Sequence, residues 1–238
     1  MWQPLLNDIR DAQATLDLGI RTWIDGYEES GGKVFCGKGC SGCCNLAVNT
    51  TFTEALRIAR ILAEPAAARV RKHASRLLER VGEAADLKSF LRLHRQEIGS
   101  CPLLEEDGSC GVYAERPLSC RSLIATRESR WCSIDFATLP AEEKEAFVAG
   151  LDRNVVAFPM HYAAAPQELA QELEARVCQR MAARFGFYLY GNLPFLIFLE
   201  RRYRLSSAVA RGYDATVSLL DRKGANNPFL VMVGRGAS

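Results

Sequence analysis

The residues of this chain best suited to chemistry are its cysteines. One loop reads Cys36-Gly-Lys-Gly-Cys40-Ser-Gly-Cys43-Cys44, which places four thiols within nine residues. A looser group follows, Cys101-Pro-Leu-Leu-Glu-Glu-Asp-Gly-Ser-Cys110 and then Cys120 beside Arg121. Thiolates are soft anionic ligands for zinc and iron–sulfur clusters, and such sites are often closed by segments far apart in sequence. Single free cysteines are commonly small buried hydrophobes, a role that four of them in a polar glycine loop fit badly. Gly37, Gly39 and Gly42 would each cost a helix about 1 kcal/mol relative to alanine, so a loop is expected. Glycine also lets the backbone approach closely and aim N–H groups at sulfur.

A structural zinc or a [4Fe–4S] cluster takes four thiolates. Cys36, Cys40, Cys43, Cys44, Cys101, Cys110 and Cys120 exceed one such site and fall one short of two, unless Cys132 is the eighth. Vicinal Cys43 and Cys44 are expected to point apart, so a single cluster would take two of Cys36, Cys40 and Cys43 and two from the second group. Lys38, Arg116 and Arg121 lie inside the motifs and are candidates to offset the negative charge of a thiolate centre. The alternative for the arginines is surface pairing with Glu105, Glu106 or Glu115. Tyr113 either covers the site or fills core. His73, His94 and His161 sit in helical stretches and are expected outside the site, and Cys178 is expected as helical core. No acid, base or nucleophile has a spacing tied to a mechanism, so no catalytic residue is assigned.

Together the two groups resemble the YkgJ-like family of cysteine-cluster proteins, described as zinc- or iron-chelating. The likeness rests on the Cys-x3-Cys-x2-Cys-Cys loop, Val48 and the Thr53-Glu54 helix start. It continues through Cys101-Pro102-Leu103, Gly108, Cys110, Val112-Tyr113, Arg116-Pro117 and Cys120-Arg121, covering residues 30–125. It implies metal binding, with an iron–sulfur cluster preferred to zinc, and no shared reaction. Flagellin lysine methylases look similar in carrying such a cluster, but no glycine-rich cosubstrate loop after a strand is found here. Cys36, Cys40 and Cys43 also have the spacing of radical S-adenosylmethionine enzymes. Gly42 replaces the aromatic usual before the third cysteine there, and the strand–helix repeats of their barrel are missing. The readings carried forward are an iron–sulfur protein with a redox or metal-handling role, a zinc-stapled helical adaptor, and a protein lysine methylase.

The elements that must hold these thiols read as mainly α: a single domain over 1–238, with an irregular cysteine-rich region at 30–125 and a helical C-terminal region at 140–222. Apolar positions Leu5, Ile9, Ala12, Leu16, Ile20 and Ile24 predict a helix over 3–29. Thr51 and Glu54 form a capping-box pattern before the next helix. Pro65 opens another over 66–97 that Gly82 divides. Residues 100–137 read as irregular. Helices are expected from Pro140 to about 164, over 166–188 and over 194–222, with at most a short strand in the tail. The apolar run Phe185–Leu199 is broken by Gly191, Asn192 and Pro194 and is too short for a bilayer, so it reads as buried core.

At 48% apolar, 24% charged and net charge +2, the chain is ordinary for a globular protein and carries no strong field to collect nucleic acid. The N-terminus lacks a basic leader with a continuous apolar run, so no signal peptide is expected. Nine cysteines make a poor disulfide framework, and a reducing, cytoplasmic setting is expected. The helical C-terminal half is free to bind a protein partner, and the oligomeric state is left open.

Overall fold

The computed structural model describes residues 1–37 and 39–236. Among them the chain is mainly helical with one small sheet. Helix α1 (Gln3–Glu29) buries Leu5, Ile9, Ala12, Leu16 and Ile20 on one face. Strand β1 (Asn49–Thr51) leads directly into α2 (Phe52–Ile61). The expected capping box is present, with Thr51 Oγ1 accepting from Glu54 N and Glu54 Oε2 accepting from Thr51 N at 3.2 Å. Next come α3 (Glu64–Arg80) and α4 (Leu87–Leu93), separated at Gly82 by a 3-10 turn over Val81–Glu83. A π-helical turn, His94–Ile98, continues α4.

Beyond it the chain is irregular, as expected, apart from short turns and the helices α5 (Leu118–Arg121) and α6 (Arg130–Ser133). Helix α7 (Ala141–Ala149) stops at Gly150, well before the boundary near 164 that the spacing predicts. After it, Asp152 Oδ1 accepts from Asn154 N at 2.9 Å, and Val156 then pairs with Ala163 in an isolated bridge. Local side-chain bonding and Pro159 outcompete the helix there.

Helix α8 (Ala164–Phe185) ends on Gly186 with φ 84°, a left-handed cap that suits glycine. The apolar run beyond it is buried, as expected, but it opens as a strand, β2 (Phe187–Asn192), before α9 (Leu193–Tyr203). Helices α10 (Leu205–Ala210) and α11 (Tyr213–Arg222) and strand β3 (Val231–Arg235) complete the chain. β2 lies between β1 and β3, antiparallel to both, with Thr51 opposite Tyr190 and Gly191 opposite Val231. A Cβ on Gly191 would meet Leu230 O at 2.2 Å, so only glycine lets β3 close.

The largest core holds Phe52, Leu77, Phe187, Leu189 and Phe195, and a second joins α1 to α8. Cys101 and Cys110 pack on the first, while Cys36 and Cys43 pack on a small cluster of Ala125, Cys132 and Tyr162. The cysteine segments thus lie where separate cores meet. No described helix is long and apolar enough to cross a membrane.

One buried carboxyl makes stability depend on pH. Glu174 of α8 is 8% exposed, and its Oε2 accepts from Tyr190 Oη at 3.4 Å. Burial, and then the nearby Glu54 carboxyl, raise its pKa to about 8. The unfolded chain ionises it near 4.3, so its contribution is full below that pH and declines as pH rises toward 8. Glu174→Gln is therefore expected to raise Tm by roughly 4 °C or more at pH 8.5 and by little at pH 4.5. Thermal unfolding at the two pH values checks this, and an equal gain at both would contradict it.

Candidate metal centre

The first cysteine loop is closed by its own backbone. Cys40 N donates to Gly37 O at 3.1 Å and Cys44 N to Ser41 O at 2.9 Å, and a 3-10 turn spans Gly42–Asn45. Gly42 is glycine for want of space, since a Cβ there would lie 2.8 Å from Ser129 O and 2.9 Å from Cys132 Cβ. The second group docks onto the first through main chain, with Cys101 N donating to Cys44 O at 2.7 Å. The chain then folds back, Gly111 N donating to Leu103 O at 2.9 Å, which returns Cys110 toward Cys101. Cys120 is positioned by α5, whose Leu118 N donates to Glu54 Oε1 at 2.8 Å. Glu54, 1% exposed, therefore serves the starts of both α2 and α5, one carboxylate oxygen to each.

These contacts bring Cys40, Cys43, Cys44, Cys101, Cys110 and Cys120 to the wall of one cavity of about 70 Å³, with Val48, Leu103, Val112 and Leu193 among its apolar lining. Cys36 is not on that wall. Its Sγ accepts from Ala125 N at 3.1 Å, and it packs near Cys132 and Tyr162. Cys43 and Cys44, expected to diverge, line the same cavity with their thiols in contact. Cys132 lies behind Cys43, its Sγ 3.2 Å from His161 Nε2.

Of the three basic candidates, Arg116 faces the thiols. It lines the cavity, its guanidinium lies 3.8 Å from the centre of the Tyr113 ring, and its buried Nε has no hydrogen-bond partner. Its charge acts to lower the pKa of Cys36, Cys43 and Cys120, favouring their thiolates. Arg121 instead holds Asp17 of α1 with Nη1 at 2.8 and 2.9 Å and donates to Arg116 O and Ala114 O, so it braces the loop rather than the cavity. Glu115 pairs with Arg57 rather than with either arginine of the motif. Lys38 lies outside the described residues. Tyr113 lines the cavity while 46% exposed, so it covers the site and is not core.

The histidines are where the sequence reading fails. His73 of α3 and His94 of the π-turn both line the thiol cavity, with ring centroids 5.7 Å apart and with His73 Nε2 and His94 Nδ1 unpartnered. Burial, then the neighbouring His94 and Arg76, lowers His73 to about 4, and burial also lowers His94. Both are neutral at pH 7. Their spacing on apolar helix faces looks like ordinary core; only the π-turn, often a functional deformation, sets His94 apart, and it has no sequence signature here.

The donor chemistry fits a metal. Burial pushes the Cys101 thiol up to about 12 and raises Cys120 well above its ordinary value, while the adjoining Cys44 thiol and burial raise Cys43. Thiols so placed ionise only when a cation sits among them. Among the described residues no three His, Cys, Asp or Glu side chains converge closely enough to hold a single ion.

A mainly helical fold thus brings six thiols and one guanidinium to the wall of one cavity, an arrangement suited to a metal. Residues 35–143 match the family model described as "CxxCxxCC: Putative zinc- or iron-chelating domain", the cysteine-cluster family whose motifs the chain resembles. The match supports metal chelation and leaves zinc and iron equally open. No curated protein and no solved structure matches the chain.

Cys120→Ala and Cys101→Ala are each expected to cut metal per chain by more than half. Cys178→Ala, on α8 and outside the cavity, should keep full loading. Elemental analysis of the purified variants decides, and full metal in both Cys101 and Cys120 variants would remove the shared centre.

Proposed function

We propose that this chain is an iron–sulfur protein that holds a [4Fe–4S] cluster on four thiolates drawn from Cys40, Cys43, Cys44, Cys101, Cys110 and Cys120, and that the cluster serves redox chemistry. The observation supporting this is the gathering of six thiols on the wall of one cavity. A tetrahedral zinc site draws its sulfurs to within roughly 3.8 Å of one another and leaves no room between them. Here six thiols, more than one zinc ion takes, line a cavity of about 70 Å³.

When bound, the cluster would supply one-electron transfer from a centre of net negative charge. The chain supplies the surroundings. Arg116 offers a positive charge and a free Nε–H toward the thiols. Leu103, Val112 and Leu193 give the cavity an apolar wall, and neutral His73 and His94 add polar atoms without adding charge. All nine cysteines are free thiols, which suits a reducing compartment, and we assign the protein to the cytoplasm.

Protein purified without oxygen is expected to be brown, with broad visible absorbance bleached by dithionite and about four irons per chain. A colourless sample with stoichiometric zinc would establish the zinc staple instead. Arg116→Gln should lower the midpoint potential by tens of millivolts while retaining iron, because removing a positive charge disfavours the more negative reduced state. Potentiometric titration of the two proteins checks this, and an unchanged potential would show that Arg116 does not tune the centre.

A further inference from the structure

Beside the thiol cavity lies a much larger groove of about 950 Å³ that the proposed centre does not use. It runs between α4 and α7, and Leu46 and the turn ending at Asn45 stand between it and the thiols. Its inner end is formed by Cys132, His161 and Tyr162, the group packed against Cys43. The volume is that of pockets for small molecules, commonly 300–1,000 Å³.

The lining is apolar where a ligand body would lie. Trp131, Phe136 and Phe147 form one aromatic cluster, with Trp131 and Phe147 centroids 4.5 Å apart. Leu87, Leu91 and Met160 line the same groove at 61%, 45% and 47% exposed. Large apolar side chains gathered on one exposed concave face are unusual without an occupant. Leu87 and Leu91 are one helical turn apart on α4, so they present a continuous edge.

The charge along the groove is mostly positive. Lys88, Arg92, Arg95 and Lys144 line it against a single acid, Asp135. That carboxylate already accepts from Ala137 N at 3.0 Å and from Gln96 Nε2 at 3.5 Å. Arg95 is fixed by donating to Ile134 O at 2.6 Å, while Lys88 and Arg92 are exposed one turn apart on α4.

We propose that this groove binds a small amphipathic anion, with its apolar body over Leu91, Trp131 and Phe147 and its carboxylate or phosphate head against Lys88 and Arg92. Such a ligand would lie one side-chain layer from the thiol centre, so its role as a reactant of that centre rests on the iron–sulfur reading. Its binding does not.

The test is calorimetric titration of the metal-loaded full chain with decanoate, decyl phosphate and decanol, iron and zinc being measured in the same samples. At least one anion is expected to bind tenfold or more tightly than decanol, and the stronger of the two identifies the head group. The double variant Lys88→Gln/Arg92→Gln should abolish that preference, and Leu91→Asp should weaken binding of the preferred anion more than tenfold. All three positions are exposed, and an unchanged Tm verifies that the variants fold. Equal binding of decanol and the anions, no binding of either anion, or unchanged affinity in Leu91→Asp would overturn the proposal. Absence of anion binding by the unsubstituted protein with iron intact counts against the groove alone. Anion binding by a colourless zinc protein keeps the groove and overturns the redox centre.

Discussion

The cost of taking thiols out of water governs this structure. A thiol buried as Cys101 or Cys120 is buried stays protonated at neutral pH, and a protonated thiol is a weak ligand. Ionisation becomes favourable only together with a cation, so loading the cavity and releasing protons are one event. Arg116 supplies one fixed positive charge toward the same space, and it acts to lower the pKa of Cys120 against the effect of burial. Without a cation the cavity is mostly apolar with the Arg116 charge at its wall, and with one some of its thiols would be ionised. The surrounding fold must tolerate both.

The fold meets that demand by anchoring the thiol segments to elements outside the site. Glu54 accepts from backbone N–H groups at the starts of two helices, one of them Leu118 N, 64 residues away in sequence, and α5 so anchored carries Cys120. Arg121 ties the same loop to Asp17 of α1. Gly42 lets α6 sit directly on the turn that carries Cys43 and Cys44. Each anchor is a local interaction with a long-range partner, and none uses a thiol. The site's shape therefore depends on the helices rather than on the ligand it encloses.

That division explains what was legible in the residues and what was not. The thiol loop, the box at Thr51 and Glu54, the break at Gly82 and the long first helix all follow from short-range spacing, and the structure has them. The second use of Glu54 is invisible in sequence, because nothing near Leu118 names its acceptor. β2 hides inside an apolar run whose strand form depends on β3 arriving from the tail, with Gly191 making room for it. His73 and His94 occupy positions that helical periodicity assigns to core, and core positions can also face a cavity. Cys132 escapes assignment for the same reason: its neighbour His161 is 29 residues away and joined to it only by folding.

The bond from Cys101 N to Cys44 O has a consequence for how the site assembles. It closes a loop of chain several times longer than the Cys36–Cys44 segment, and closing the longer loop costs about 2 kcal/mol more in chain entropy. The glycine loop can gather its own thiols at little expense, whereas recruiting the second group must wait until α2, α3 and α4 have brought it near. An ion meeting a partly folded chain thus finds the first loop available well before the second. Completion of the centre becomes a late step that reports whether the intervening helices have packed.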